Sequence, residues 1–208
     1  MKKIMFNDRY GLTQAVIEGR KTMTRRVEFE SDSNLYTVSI WPGKELNKEY
    51  VRFDFDNGLS YTARYAIGEI VAVAQRYQDV FDYSNCVNPY DWEDDDKQTG
   101  WTNKMLVKSE LMPYRIRITE IKCERLQDIS EEDCLKEGIR HACTESILGM
   151  YGFIDYKGTG LWFNTPREAF ASLIDKVYGR GTWERNPWVV AYEFELGIFE
   201  TINEYEKL

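Results

Sequence analysis

The sequence has little of what several common enzyme classes require. It contains one histidine, His141, among 208 residues, which disfavours mechanisms built on histidine, such as the Ser-His-Asp triad. Neither a phosphate-binding P-loop motif nor a dinucleotide-binding fingerprint occurs. The four cysteines, Cys86, Cys123, Cys134 and Cys143, include no Cys-x-x-Cys pair. This pattern indicates reduced structural thiols rather than a redox motif.

Metal-binding patterns are also incomplete. Cys134, His141 and Cys143 supply three soft ligands, but a structural zinc site usually has tighter pairs and a fourth ligand. The acidic run at 93–96 lacks the glycine and the distal glutamate of a calcium-binding loop. We therefore expect no metal and no cofactor, and we expect the acidic loop at 91–96 to be a solvated surface.

Long apolar runs and excess positive charge are missing too. No stretch of about 18 apolar residues occurs, and the N-terminal residues do not resemble a signal peptide. We therefore expect a cytoplasmic protein without a membrane partner. The 27 basic and 35 acidic residues give a net charge of −8, which argues against a broad phosphate-binding face. Any contact with nucleic acid must be local.

One short segment runs against this acidic background. The segment GRKTMTRR at 19–26 holds four cations and two hydroxyls, and it follows a helix predicted at 10–18. It is either a solvated loop or an anion- or nucleotide-binding site. If it is a site, Arg20, Arg25 and Arg26 are the candidate phosphate contacts.

Alternating and helical patterns define the expected fold. Strands are predicted at 35–41, 49–55, 69–75, 115–126 and 188–196, with a hairpin at Asn57-Gly58. One slip in the alternation of 115–126 indicates a bulge. Helices are predicted at 10–18, 130–137 and 166–178, with Ser130 and Thr165 as N-caps. The sequence therefore predicts a single α+β domain over 1–208: a mostly antiparallel β-barrel with short helices outside it and over its ends, and an insertion around 82–104.

Several motifs in this order resemble the ASCH domain family of the PUA-like superfamily, in its longer phage- and prophage-associated form. They are GRKT at 19–22 with Thr24, AIGEIV at 66–71, RLQDISEED at 125–133 followed by EGI at 137–139, PRE at 166–168 and NPWV at 186–189. The chain departs from the longer members at 73–75, where Val-Ala-Gln stands in the region of an Arg-Glu pair.

The resemblance implies a PUA-like barrel that binds a nucleobase or RNA. A subset of the family resembles metal-independent amidohydrolases that deacylate N4-acetylcytidine, and the positions matching its catalytic residues are Lys21, Thr24 and Glu137. Other members are RNA-binding or regulatory modules, or ribonucleases. The sequence leaves these alternatives open, together with an acidic interaction protein that has no nucleotide site, and it does not indicate the oligomeric state.

The hypothesis that Lys21, Thr24 and Glu137 are catalytic requires two features of the structure. In a regular strand, Lys21 and Thr24 would point to opposite faces, so the chain must turn between them. Glu137 falls in the last turn of its predicted helix, where a carboxylate opposes the helix dipole at a cost of about 0.3–1 kcal/mol. It is either an exposed glutamate or a carboxylate held beside Lys21. As a base, Lys21 needs a lowered pKa.

Overall fold

The computed structural model describes residues 1–27, 33–44, 47–80, 102–142, 144 and 147–197. The strands are β1 (Lys3–Ile4), β2 (Met23–Arg26), β3 (Leu35–Pro42), β4 (Glu49–Phe55), β5 (Ser60–Thr62), β6 (Ile70–Val73), β7 (Arg115–Arg125), β8 (Arg140–His141), β9 (Tyr151–Ile154), β10 (Gly160–Phe163) and β11 (Trp188–Gly197). The helices are α1 (Leu12–Ile17), α2 (Tyr77–Val80), α3 (Glu131–Lys136), α4 (Pro166–Tyr178) and α5 (Thr182–Arg185). In these segments, no helix is long and apolar enough to cross a membrane.

The strands form three sheets. A five-stranded sheet has the order β1-β6-β7-β11-β2, and two three-stranded sheets have the orders β3-β4-β5 and β10-β9-β8. Among the described pairs, only β1 and β6 run parallel. The α+β prediction is confirmed, and the predicted helices correspond to α1, α3 and α4. Residues 82–101 of the predicted insertion, with the acidic loop at 91–96, lie outside the described residues.

The two longest strands, β7 and β11, form the centre of the large sheet. Their register shifts where Glu193 pairs with Glu120 and the next residue, Phe194, pairs with Ile118. Thr119 is therefore the extra residue of a bulge, as the slip in the sequence pattern predicts. Because of this bulge, Ile118 and Ile121 can both be buried although they are three positions apart.

Two capped helices flank this sheet. The Ser130 hydroxyl accepts the Asp133 N–H at 3.1 Å at the start of α3, and the Thr165 hydroxyl accepts the Glu168 N–H at 3.1 Å at the start of α4. Both predicted N-caps are confirmed. Helix α4 buries the apolar stripe that includes Phe170 and Leu173 in the main core. These helices fix the walls of the cavity described below.

The large sheet is open between its two edge strands. In the described residues no backbone ladder joins β1 to β2, although the two strands lie close together. The Arg26 Nη2 atom donates to the Met5 carbonyl, and the Arg26 guanidinium lies over the Phe6 ring at 5.5 Å. We call this junction, between residues 3–7 and 23–27, the seam. Side chains rather than backbone pairing hold it together.

Candidate functional site

Lys21 lies in a turn between α1 and β2. Gly19 adopts a φ of +72°, the left-handed conformation that ends a helix. The Lys21 N–H donates to the Ala15 carbonyl at 2.9 Å, and the Thr22 N–H donates to the Lys136 carbonyl at 2.9 Å. Strand β2 begins only at Met23. The chain therefore turns between Lys21 and Thr24, and both residues line one cavity.

Lys21 and Glu137 form a buried ion pair. The Lys21 Nζ atom donates to Glu137 Oε2 at 2.5 Å and to the Glu137 backbone carbonyl at 2.8 Å. Lys21 is only 2% exposed and Glu137 only 4%. The alternative that Glu137 is an exposed glutamate is therefore wrong. The ammonium group also satisfies a carbonyl at the C-terminal end of α3, where a cation is favourable. It thereby offsets the unfavourable position of the carboxylate.

A glycine permits this close approach. Gly138 follows Glu137 with a φ of +100°, which side chains other than glycine rarely adopt. A Cβ atom there would lie 3.4 Å from the Cβ of Lys21 and 3.5 Å from the Cβ of Ala15. The end of α3 can therefore pack directly against the stem of Lys21.

Arg25 binds three carboxylates beneath the ion pair. Its Nη2 atom lies 2.6 Å from Glu124 Oε1 and 2.7 Å from Asp133 Oδ2, and its Nη1 atom lies 3.3 Å from Glu137 Oε1. Burial is the largest single effect on the pKa of Arg25 and acts to lower it. The combined attraction of Glu137 and Glu124 outweighs burial, so the pKa is raised. Arg25 thus holds the second oxygen of the Glu137 carboxylate.

Lys122 completes a charge-balanced cluster. Its Nζ atom lies 2.9 Å from Asp133 Oδ2. Burial of Asp133 acts to raise its pKa, but the hydrogen bonds from Lys122 and Arg25 outweigh burial and lower it. Three cations and three carboxylates make up the cluster: Lys21, Arg25, Lys122, Glu124, Asp133 and Glu137.

Burial lowers the pKa of Lys21. The cost of keeping a charged ammonium away from water is the largest effect and exceeds the opposing attraction of Glu137. The nearby guanidinium groups of Arg26 and Arg25 lower the pKa further. A lysine in this environment gives up its proton more readily than a surface lysine, as a general base requires.

The cavity beside this cluster has a volume of about 240 Å³. Its polar wall is formed by Asn7, Lys21, Thr24, Arg25, Arg26 and Glu137. Its apolar wall comes from the segment after β1, from α1 and from α4: Met5, Phe6, Leu12, Phe170, Leu173, Ile174 and Val177. The cavity lies at the seam, and its walls suit a flat ligand with a polar edge.

Thr24 contributes a hydroxyl that has no hydrogen-bond partner in the described parts of the chain. The residue pairs with Tyr192 across β2 and β11 and is buried at the cavity wall. Because the residue lines the cavity, water or a ligand in the cavity can satisfy this hydroxyl. Thr24 can therefore hydrogen-bond or attack a molecule bound in the cavity.

The three candidate phosphate-binding arginines have different surroundings. Arg20 pairs with Glu18 at 2.6 Å on the surface and does not line the cavity. The guanidinium of Arg25 is fully buried among carboxylates. Arg26 lines the cavity, and among the described residues it has no carboxylate partner. Of the three, Arg26 has donors to spare for a ligand.

Some cavity residues were not predicted from the sequence as site residues. Phe170 and Leu173, on the apolar stripe of α4, both belong to the core and line the cavity. Tyr178, at the end of α4, lines the cavity and donates its hydroxyl to the Arg25 carbonyl at 3.1 Å. Its position four residues after Ile174 continues the stripe, which is the one signal that the sequence offers.

Among the described residues, no group of three or more His, Cys, Asp or Glu side chains could hold a metal ion. Comparisons with protein-family models, curated proteins and solved structures find no significant match to this chain.

Proposed function

We propose that this chain is a PUA-like ASCH protein whose cavity binds the base of a modified nucleoside and hydrolyses an acyl group from N4 of cytidine. One observation carries the proposal. A single cavity is lined by Lys21, Thr24 and Glu137. Glu137 is distant from the other two in sequence, and in a regular strand Lys21 and Thr24 would point to opposite faces. Their chemistry supplies a base, a hydroxyl and a proton donor without a metal.

The shape of the site is consistent with a base as ligand. Apolar side chains such as Phe6 and Val177 can pack against a base, and the polar wall can bind its edge. The fold also supports the proposal, because the open junction between the edge strands of the large sheet borders the cavity. We interpret this sheet as a PUA-like barrel that opens at its ligand site.

In the proposed mechanism, the ion pair reacts in its neutral form, with the shared proton on Glu137. Lys21 takes a proton as the Thr24 hydroxyl, or a water molecule held by it, forms a C–O bond with the acyl carbon. Glu137 gives its proton to the N4 nitrogen as the C–N bond breaks. The products at the enzyme are an ammonium and a carboxylate, which is the ion pair seen in the structure. If Thr24 itself attacks, water hydrolyses the acyl-threonine ester afterwards.

Arg25 positions the proton donor in this scheme. It binds Glu137 Oε1 while Lys21 binds Oε2, so each carboxylate oxygen has a separate partner. Glu124 and Asp133 hold Arg25 in turn. Preorganisation of this kind removes the need to reorient charged groups during the reaction.

The test is release of cytidine from N4-acetylcytidine by the purified protein. Thr24→Ser keeps the hydroxyl and Thr24→Val keeps the shape without it, so these variants form a matched pair. We expect turnover by the wild type and by Thr24→Ser, and loss of turnover in Thr24→Val, Lys21→Ala and Glu137→Gln. Turnover that survives Lys21→Ala would remove the mechanism while leaving the hydrolase class in place.

A second candidate function is a non-catalytic RNA-binding or regulatory module that uses the same cavity. The charge balance of the cluster favours it, because an ion network with equal numbers of cations and carboxylates can serve structure alone. Retained binding of nucleoside or RNA, with no hydrolysis by the wild type, would select this function.

A further inference from the structure

A second depression adjoins the cavity on the outer side of the seam. It has a volume of about 330 Å³ and is lined by Lys3, Met5, Arg26, Arg64, Tyr65 and Met105. We call it the outer groove. Met5 and Arg26 line both the outer groove and the cavity. The two spaces therefore meet at the Arg26 side chain.

The outer groove is cationic. None of its lining residues is acidic, and its three cations, Lys3, Arg26 and Arg64, have no carboxylate partner among the described residues. Lys3 is held by backbone carbonyls only, including those of Met105 at 2.8 Å and Val107 at 2.6 Å. These dipoles fix the ammonium in place without cancelling its charge.

The two arginines keep donors for a ligand. Arg26 uses one N–H on the Met5 carbonyl and lies over the Phe6 ring at 5.5 Å, so four of the five donors of a guanidinium remain. Arg64 is exposed, and its guanidinium lies over the Tyr65 ring at 5.8 Å. An arginine supported on an aromatic face loses little further freedom when it binds a phosphate.

Cations next to the outer groove do have carboxylate partners. Lys2 lies 3.1 Å from Glu69, and Lys104 lies 2.8 Å from Asp8. In a chain with more acidic than basic residues, carboxylates are available to pair with exposed cations. In the described part of the chain, the outer groove instead leaves three cations without one around a single concave surface. Such an arrangement is typical of a phosphate site.

We propose that the outer groove is a phosphate subsite and that the ligand of the cavity is a nucleotide rather than a free nucleoside. The base occupies the cavity, and the phosphate on its ribose binds Arg26 and Arg64. This inference rests on the proposed function, since it needs a base in the cavity to place the phosphate. The protein then recognises phosphorylated cytidine, either as a mononucleotide or within an RNA strand.

Calorimetry with ligands that are not hydrolysed tests the inference separately from catalysis. The probes are cytidine, cytidine 5′-monophosphate, cytidine 3′-monophosphate and a cytidine trinucleotide. We expect at least one phosphorylated probe to bind about tenfold more tightly than cytidine, which corresponds to about 1.4 kcal/mol. The probe that gains most identifies the source, a free nucleotide or a strand.

Two variants of equal charge change test the assignment. Arg64→Gln removes an arginine of the outer groove, whereas Arg52→Gln removes an exposed arginine that is paired with Asp54 at 2.7 Å. We expect Arg64→Gln to abolish most of the preference for phosphorylated probes and Arg52→Gln to retain it. Equal losses in both variants would indicate a general charge effect and overturn the subsite.

The remaining outcomes separate the two proposals. Equal affinity for cytidine and for every phosphorylated probe would overturn the phosphate subsite and leave the proposed function standing. Absence of binding to every probe would overturn the phosphate subsite, and absence of N4-acetylcytidine turnover as well would overturn both proposals.

Discussion

Replacing Glu137 with glutamine tests whether the buried ion pair is an energetic unit. The variant keeps the shape of the side chain and removes the carboxylate that binds Lys21 at 2.5 Å and Arg25 at 3.3 Å. Arg25 retains two carboxylates. Lys21 retains the backbone carbonyl at 2.8 Å, but glutamine offers it no negative charge, so the ammonium is then buried without a counter-charge.

The structure sets the expected magnitude. Removing one partner of a buried ion pair costs about 3–5 kcal/mol. We expect about 3 kcal/mol for Glu137→Gln, the lower end of that range, because Lys21 keeps one acceptor and can release its proton. A typical domain has about 5–15 kcal/mol of stability, so the variant should fold with a lower urea midpoint and an unchanged denaturant slope.

A double-mutant cycle with Lys21→Met completes the test. Methionine replaces the lysine stem with an apolar side chain and removes the ammonium, so no buried cation is left that needs a partner. We expect Lys21→Met/Glu137→Gln to be more stable than the sum of the two single changes predicts, with a coupling of about 1–3 kcal/mol. Additive effects in the cycle, or a Glu137→Gln protein within about 0.5 kcal/mol of the wild type, would refute the reasoning.

Four further predictions follow from the described contacts. Burial lowers the pKa of Lys21 from 10.5, so just below pH 10.5 the unfolded chain binds more protons than the folded one, and the free energy of unfolding should rise with pH by at most about 1.4 kcal/mol per pH unit. Urea unfolding at pH 8 and pH 10 should find a smaller rise in Lys21→Met than in the wild type. An equal rise in the two proteins would contradict the prediction. Gly138→Ala should cost about 1–3 kcal/mol and weaken ligand binding, whereas Gly58→Ala, with a φ of +84° and open space around it, should affect stability alone; unchanged binding in Gly138→Ala would argue against the close packing. Burial raises the pKa of Cys134 and Cys123 to about 12, so iodoacetamide at pH 8 should leave both unmodified in the folded protein by peptide mass mapping, and rapid labelling of either would contradict their burial. RNA binding should weaken with salt at a slope of only about 0.7 per phosphate for one or two contacts, and a steep slope would place the binding surface elsewhere.

Local features of the fold could be predicted because each depends on neighbours in the sequence. The caps at Ser130 and Thr165 and the bulge at Thr119 follow from residue type and periodicity over a few positions. The motif resemblance selected Lys21, Thr24 and Glu137, and the structure brings these three to one cavity.

The charge cluster could not be predicted, because its partners are distant in sequence. Arg25 is 99 residues from Glu124 and 108 from Asp133, and no local pattern predicts such pairs. The Asp133 N–H bonds to the Ser130 cap, and its carboxylate binds Arg25 and Lys122. A guanidinium that looks available to phosphate in the sequence can therefore be fully occupied in the fold, as that of Arg25 is.

The seam has a consequence for how ligands enter. Across every other junction of the large sheet, parting two strands breaks a ladder of backbone hydrogen bonds. Between β1 and β2, in the described residues, separation breaks side-chain contacts such as those of Arg26 with the Met5 carbonyl and the Phe6 ring. The strands of this sheet that separate most easily are therefore β1 and β2, which border the cavity. A phosphate that draws Arg26 away from Met5 would loosen the same junction, so that recognition of the ligand and opening of its entrance would share one side chain.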